Sequence, residues 1–312
     1  MTVKEVREKI QKCLKKTGIE DFEYETWMLL EWKLGIGRAE YFMDPDREIS
    51  DKAWMSLNEV LRERERRVPL QYLMGSCEFM GYTFEVDERV LIPRQDTECL
   101  VELAVDKIRQ TVRDRMKPAD SEKQPAGEQK ILSEQKDVGQ EACQVLDLCT
   151  GSGCIGISVK LLCPKAEVTL SDVSEGALDV AKKNAWNLGA SVRTIESDLF
   201  ENIQGVYDYI LSNPPYIPSR VIEGLMPEVR EFEPRIALDG TEDGLYFYRA
   251  ITEDAAGYLR PGGWLIFEIG QEQGEALLSI LEEQGFKDTE IKKDLAGLDR
   301  IAVGRWPENK EP

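Results

Sequence analysis

Val145-Leu146-Asp147-Leu148-Cys149-Thr150-Gly151-Ser152-Gly153-Cys154-Ile155-Gly156 is an apolar run that meets an acid and opens into a glycine-rich loop. Val145 to Leu148 predicts a buried strand. Gly151 to Gly156 fits G-x-G-x-x-G, and Ile155 to Leu162 predicts a helix stopped at Pro164. A strand, a glycine loop and a helix in this order form a unit that α/β sheets use to hold nucleoside-like ligands. Asp172 lies 21 residues beyond Gly151, at the end of the next apolar run, where such units keep a ribose-binding acid.

The alternation continues downstream. Val168 to Leu170, Arg193 to Glu196, Tyr207 to Ser212 and Trp264 to Ile269 read as strands, with helices over Ala177 to Leu188, Gly244 to Leu259 and Leu277 to Gln284. Thr289 to Lys293 and Arg300 to Arg305 complete the set as an antiparallel pair. This pattern predicts an α/β fold, Rossmann-like, with a doubly wound and mostly parallel sheet.

Upstream the period changes. Val6, Ile10 and Leu14 form one helical stripe, and Trp27, Leu30 and Leu34 a second that ends at Gly35. Ser50 caps a third helix with Trp54, Leu57 and Leu61 on one face. Arg62 to Arg67 alternates in sign and reads as a solvated helix face. Pro69 breaks the pattern. Phe79, Tyr82, Phe84 and Val86 around Gly81 predict a β-hairpin, and Asp96 or Thr97 a cap for a helix carrying Leu100, Ala104 and Ile108. The expected organisation is a helical domain over 1–75, a β-hairpin connector over 76–93 and the α/β domain over 94–312. Residues 117–141 lack aromatics and are expected to form a flexible loop.

Composition excludes several classes. The 312 residues carry a net charge of −19, which opposes a bulk nucleic-acid surface. Without histidine there is no Ser-His-Asp or Cys-His triad and no His-bound metal, so no metal site is expected. Seven irregularly spaced cysteines suit a reducing cytosol, and no stretch reaches membrane-spanning length. A cytoplasmic monomer with no membrane partner is expected.

The glycine loop and Asp172 fit NAD and S-adenosylmethionine equally well. Asp147 separates them. A pyrophosphate beside this carboxylate would cost about 4 kcal/mol per like-charge pair at 4 Å and an effective dielectric near 20. An ammonium and a sulfonium would be welcome there. Asp172 can take the two ribose hydroxyls, and Asp198, after the third strand, can accept from an adenine amino group.

Asn213-Pro214-Pro215-Tyr216 follows the fourth strand. Neither proline has an N–H for a sheet ladder, so they fix a rigid turn at the strand's carboxyl end. Asn213 offers one acceptor and two donors, and Tyr216 an aromatic face. Together they could grip a planar NH2 group. An amide nitrogen is a poor nucleophile, because its lone pair is delocalised. Hydrogen bonds from the NH2 to the Asn213 side-chain oxygen and to the Pro214 carbonyl would hold it in line with a methyl–sulfur bond without a strong base.

These motifs resemble the bacterial release-factor glutamine methyltransferases, the HemK/PrmC family. The likeness spans nearly the whole chain. It rests on Pro69-Leu70-Gln71-Tyr72-Leu73, Ile92-Pro93-Arg94 with Asp96-Thr97-Glu98, the Asp147 to Gly153 stretch, Asp172, Ser212 to Ile217, Glu233-Pro234-Arg235, Asp243-Gly244-Leu245 and Glu268-Ile269-Gly270. The tetrapeptide Asn-Pro-Pro-Tyr alone is shared by many amino-methyltransferases of DNA, RNA and protein.

The resemblance implies a class I S-adenosylmethionine-dependent methyltransferase with a seven-stranded sheet. It implies methylation at N5 of the glutamine in the Gly-Gly-Gln motif of peptide-chain release factors, which the helical domain helps recognise. Cys149, Thr150, Gly151, Ser152, Gly153, Asp172, Asp198, Leu199 and Asn213 would contact the cofactor, with Asp147 close by. Asn213, Pro214, Pro215 and Tyr216 would hold the glutamine. Arg94 would contact the substrate backbone or brace the hairpin. Cys149 departs from the family's usual glycine, and Leu199 from an aromatic that the family sometimes has. A ribosomal-protein glutamine methyltransferase and a nucleic-acid amino-methyltransferase are the alternatives.

Overall fold

Thr2 opens the first helix with a reciprocal cap. Its hydroxyl accepts from the Glu5 N–H at 3.2 Å, and the Glu5 carboxylate accepts from the Thr2 N–H at 2.9 Å. The computed structural model describes residues 1–116 and 142–308, so the loop expected over 117–141 lies outside the described residues.

Five helices come first: α1 (Val3–Lys16), α2 (Phe22–Leu34), α3 (Arg38–Met43), α4 (Asp51–Glu65) and the short α5 (Leu70–Met74). Their inner faces share one core, with Val6, Ile10, Leu14, Leu30 and Leu57 fully buried. Gly35 closes α2 at φ 62°, in the left-handed region that favours glycine.

Arg62 to Arg67 is solvated only in part: Arg62, Glu65 and Arg66 are exposed, as the alternating charges suggest, but Arg64 is not. Arg64 is only 1% exposed. It follows Leu57 by seven residues and Leu61 by three, which puts it on the apolar face of α4. Its guanidinium donates to both oxygens of Glu25 on α2, at 3.0 and 2.8 Å.

The hairpin joins β1 (Ser76–Phe79) to β2 (Tyr82–Glu85). Met80 and Gly81 both have positive φ, 52° and 74°, as the tightest hairpin turns require. Phe79 and Phe84 meet edge-on at 6.0 Å and enter the same core as Leu100, Ala104 and Ile108 of α6 (Glu98–Met116). Among the described residues neither Asp96 nor Thr97 makes a side-chain hydrogen bond to the first turn of α6. A 3-10 turn over Gln95–Thr97 runs directly into α6 instead.

The α/β part follows as β3 (Gln144–Leu148), α7 (Cys154–Leu162), β4 (Glu167–Asp172), α8 (Glu175–Asn187), β5 (Arg193–Glu196), β6 (Tyr207–Ser212), α9 (Ser219–Ile222), α10 (Tyr246–Tyr258), β7 (Leu259–Glu268), α11 (Gly274–Glu283), β8 (Lys287–Lys293) and β9 (Asp299–Arg305). The seven strands order as β5-β4-β3-β6-β7-β9-β8. Strands β3 to β7 are parallel, and β9 runs antiparallel to both β7 and β8. This is the mostly parallel, Rossmann-like sheet that the alternation predicts. The chain winds outward from β3 through β4 to β5, then returns to place β6 on the other side of β3. That reversal opens a crevice beyond the carboxyl ends of β3 and β6, where such sheets bind ligands.

Candidate active site

Leu148 pairs with Ser212 at the end of the β3–β6 ladder, and the Ser212 hydroxyl donates to the Leu148 carbonyl at 2.8 Å. The next residues, Cys149 and Asn213, therefore leave the sheet side by side. A cavity of about 320 Å³ opens between their loops. Arg94, Cys149, Thr150, Gly151, Ser152, Asp172, Asp198, Leu199, Asn213 and Pro215 line it. Asp147, Gly153, Pro214 and Tyr216 do not.

Left-handed backbone shapes the glycine loop. Cys149, Gly151 and Gly153 have φ of 58°, 54° and 82°. Cys149 thus holds a backbone conformation that favours glycine. A side chain there costs roughly 1–2 kcal/mol. Cys149→Gly is accordingly expected to leave stability within about 1 kcal/mol of the wild type in a denaturant titration. A loss like that of a buried large-to-small change, about 2 kcal/mol or more, would show that the cysteine is not strained.

Asp147 lies beneath the loop rather than on the cavity wall. The sequence places its carboxylate against the ligand, whereas in the structure the carboxylate turns away from the cavity. It is fully buried, and Oδ2 accepts from the Thr150 hydroxyl at 2.6 Å and the Gly156 N–H at 2.9 Å. Its role is to brace the turn. A Cβ added at Gly156 would stand 2.2 Å from Leu170 and 2.9 Å from Asp147 Oδ2, so only glycine fits there.

Burial pushes the Asp147 carboxyl up to about 7, despite these two hydrogen bonds. The native state therefore binds a proton that the unfolded chain has released between about pH 4 and 7. This contribution to stability is complete below the unfolded value and is lost as pH rises through 7. A shift of this size corresponds to on the order of 4 kcal/mol. The melting temperature of the ligand-free protein should thus fall more steeply from about pH 4 to 7 in the wild type than in Asp147→Asn. Parallel profiles would refute the assignment. Glu268, also pushed up to about 7 by burial, leaves part of the slope in the variant.

Asp172 stands across the crevice at the end of β4. Oδ2 accepts from the Gly151 N–H and Oδ1 from the Ser174 N–H, both at 2.9 Å. The carboxylate thus ties the glycine loop to the start of α8 and still lines the cavity. Ser197 shapes the next wall. Its hydroxyl donates to the Leu199 carbonyl at 2.8 Å and accepts from the Asn202 N–H at 2.9 Å, holding the Asp198-Leu199 step. Leu199 is also left-handed, at φ 44°.

Pro214 and Pro215 are buried, while Asn213 is partly exposed. Among the described residues, nothing hydrogen-bonds the Asn213 side chain. Its amide is free for a ligand. Tyr216 instead packs against the core beside β7, and burial pushes its phenol up to about 12, so it is neutral. The aromatic rings on the cavity wall are those of Tyr246 and Phe247, which follow Asp243-Gly244-Leu245 and were not singled out by motif. Gly240 and Gly244 press on the Tyr216 backbone, where an added Cβ would lie 2.7 Å from Cα and 2.3 Å from the carbonyl oxygen. Gln273 Nε2 joins the Tyr216 and Gly244 carbonyls at 3.1 and 3.2 Å. No local pattern marks that residue. Among the described residues Arg94 makes no hydrogen bond to the hairpin. It lines the cavity and pairs with the buried carboxylate of Glu233 at 2.5 Å.

The N-terminal helices match the model of the PrmC N-terminal domain over residues 5–75, and residues 127–224 match that of the Methyltransferase small domain. A release factor glutamine methyltransferase of Geobacter sulfurreducens is 38% identical over 305 residues, covering 97% of this chain and 96% of its own. The chain belongs to the release factor glutamine methyltransferase family. A member from Bordetella pertussis is 39% identical over 285 residues, 90% of this chain and 93% of the other. A more distant likeness, to the hMettl16 catalytic domain at 15% identity and a TM-score of 0.51 over 73% of this chain and 76% of that one, reflects the shared fold alone.

S-adenosylmethionine is the cofactor of this methyltransferase family, and the residues present fit it. The glycine loop leaves room for close backbone approach, and Asp172 and Asp198 give the cavity two acids for hydroxyl and amino donors. Buried Asp147 carries one oxygen without a hydrogen-bond partner directly under the loop. No basic side chain lies in the loop itself. Burial pushes the Cys149 thiol well above its ordinary range, so it stays neutral beside the ligand.

Proposed function

We propose that this chain transfers a methyl group from S-adenosylmethionine to the side-chain N5 of the glutamine in the Gly-Gly-Gln motif of peptide-chain release factors. The observation that carries this reading is the free amide of Asn213 on the cavity wall, one ladder step from the glycine loop. Membership of the family, on a match that covers 97% of the chain, supports it.

When bound, S-adenosylmethionine supplies an electrophilic methyl carbon on a sulfonium. The chain's own task is to orient the acceptor. The Asn213 side-chain oxygen and the Pro214 carbonyl would accept from the glutamine NH2 and draw density onto its nitrogen. Pro214 and Pro215 fix the direction of both acceptors because their φ angles are locked. Alignment of this kind is worth several kcal/mol and reaches ~7–11 in well-oriented intramolecular reactions. Tyr216 is neutral, and the chain has no histidine, so no strong base is at hand. The amide proton leaves to water after transfer. Asp172 and Asp198 would hold ribose and adenine, and Arg94 and the aromatic pair Tyr246 and Phe247 would face the incoming loop of the factor. The domain over 1–75 would dock the factor, the hairpin over 76–93 would connect, and 94–312 would carry the chemistry, as a cytoplasmic monomer.

Mass spectrometry of a release factor incubated with the protein and S-adenosylmethionine tests the reading. A single methyl on the Gly-Gly-Gln glutamine is the expected result. An unmodified factor with the cofactor bound would redirect the activity to another amide or to a nucleic-acid amine.

A further inference from the structure

The segment between Asn213-Pro214-Pro215-Tyr216 and α10 leaves the sheet and returns. Its base closes where the Ile217 N–H donates to the Leu238 carbonyl at 3.0 Å and the Gly240 N–H to the Ile217 carbonyl at 2.9 Å. Its returning limb, Pro234, Ile236 and Ala237, forms one wall of the cavity. Its tip, Glu228–Phe232, reaches the N-terminal helices.

The contact at the tip is ionic and half-buried. Glu228 accepts from Arg67 Nη2 at 2.5 Å and from Arg64 Nη2 at 3.2 Å. Arg64 is immobilised by the Glu25 fork and by the Val68 carbonyl at 2.5 Å. Arg67 Nη1 also donates to the Thr17 and Gly18 carbonyls at 2.9 and 3.0 Å, at the end of α1. Glu228 thereby meets α1, α2 and α4 through two guanidinium groups. The Arg67 backbone sits at φ 69°, where glycine would be relaxed. An arginine held in this conformation points to a use for its side chain. Five residues beyond Glu228, the Glu233–Arg94 pair fixes the same limb to the segment after the hairpin.

We propose that Glu228 is a positioning residue, which locks the Pro234–Ala237 wall of the acceptor pocket to the N-terminal helices through Arg64 and Arg67. The helical domain then does more than dock a substrate: it sets the shape of the pocket that receives the glutamine. Nothing in this link touches the cofactor loop. A loss at Glu228 should therefore appear in turnover of the acceptor and not in cofactor affinity. The kinetic readout rests on the proposed methyl transfer; the structural readout does not.

The test compares Glu228→Gln, Arg67→Ala and the double variant in the full-length protein, with Glu231→Gln on the exposed side of the same tip as control. Glu228→Gln should lower kcat for release-factor methylation about tenfold, with S-adenosylmethionine affinity unchanged within twofold. Amide hydrogen exchange at Ile217 and Gly240 should quicken, and Glu231→Gln should change neither. Arg67→Ala should reproduce the effect, and the double variant should be no worse than the stronger single one, because both break one link. A lower melting temperature with unchanged kcat and unchanged exchange would overturn the proposal, as would multiplicative losses in the double variant. Should the wild type fail to methylate a release factor, the exchange comparison still decides: quickened exchange at Ile217 and Gly240 upholds the link, and unchanged exchange refutes it.

Discussion

Asn213→Ala is expected to lower kcat for release-factor methylation on the order of 10³-fold while S-adenosylmethionine binding changes less than tenfold. A single preorganised hydrogen-bond partner at a reacting centre is worth roughly 10²–10³ in rate. Asn213 stands at the upper end, because its oxygen both polarises the NH2 and fixes its direction. An alanine leaves the Pro214 carbonyl as the single acceptor, and the amide can then rotate away from the methyl. The fold has little reason to respond. The Asn213 side chain has no hydrogen bond to lose among the described residues and is partly exposed. The melting temperature should therefore move by no more than about 2 °C. Single-turnover methylation followed by mass spectrometry checks the rate, and calorimetry checks the cofactor. A variant that retains a tenth of wild-type kcat would show that the amide is held by other groups, and the reading of this turn would fail.

The parts of this site that could be read from sequence are those that local chemistry dictates. Gly151, Gly153 and Gly156 announce a turn and a close packing contact, and Asp172 is marked by its distance from that turn. Pro214 and Pro215 announce the end of a strand. The strands over 145–148 and 207–212 were legible because buried parallel strands are short and mostly apolar, and Asp147 and Asp208 each interrupt their run only once.

What remained hidden depends on tertiary contact. Asp147 ends an apolar run, but the run does not say which face its carboxylate takes; the structure puts it under the loop. The ring of Tyr216 follows two prolines, but its sequence does not say that it packs against the core and that Tyr246 and Phe247 are the aromatics on the cavity wall. Arg64 sits in a run of alternating charges that masks its helical position relative to Leu57 and Leu61. Its partners, Glu25 and Glu228, are 39 and 164 residues away. Gln273 is likewise 57 residues from the carbonyl that it holds.

Asp172→Asn should raise the dissociation constant for S-adenosylmethionine on the order of 10²-fold, although the side chain keeps its shape. The aspartate works as an acceptor twice over, taking Gly151 N–H on one oxygen and Ser174 N–H on the other. Each oxygen retains a second lone pair toward the cavity for a ribose hydroxyl. Asparagine has one acceptor atom. Whichever way it turns, its NH2 faces a backbone N–H, and either the glycine loop or the start of α8 loses its anchor. The ribose also loses one charged acceptor, and a hydrogen bond to a charged group is worth about 1.5–3 kcal/mol. Together these effects reach the two powers of ten expected. Burial raises the Asp172 carboxyl above its ordinary range. Protonation in the acid range removes the same acceptor, so cofactor affinity of the wild type should weaken as pH falls toward that raised value, and the asparagine variant should lack this limb. Isothermal titration across pH reads both effects at once. An unchanged affinity in Asp172→Asn would mean that the ribose is held elsewhere, and the assignment of the crevice to the methyl donor would have to rest on other residues.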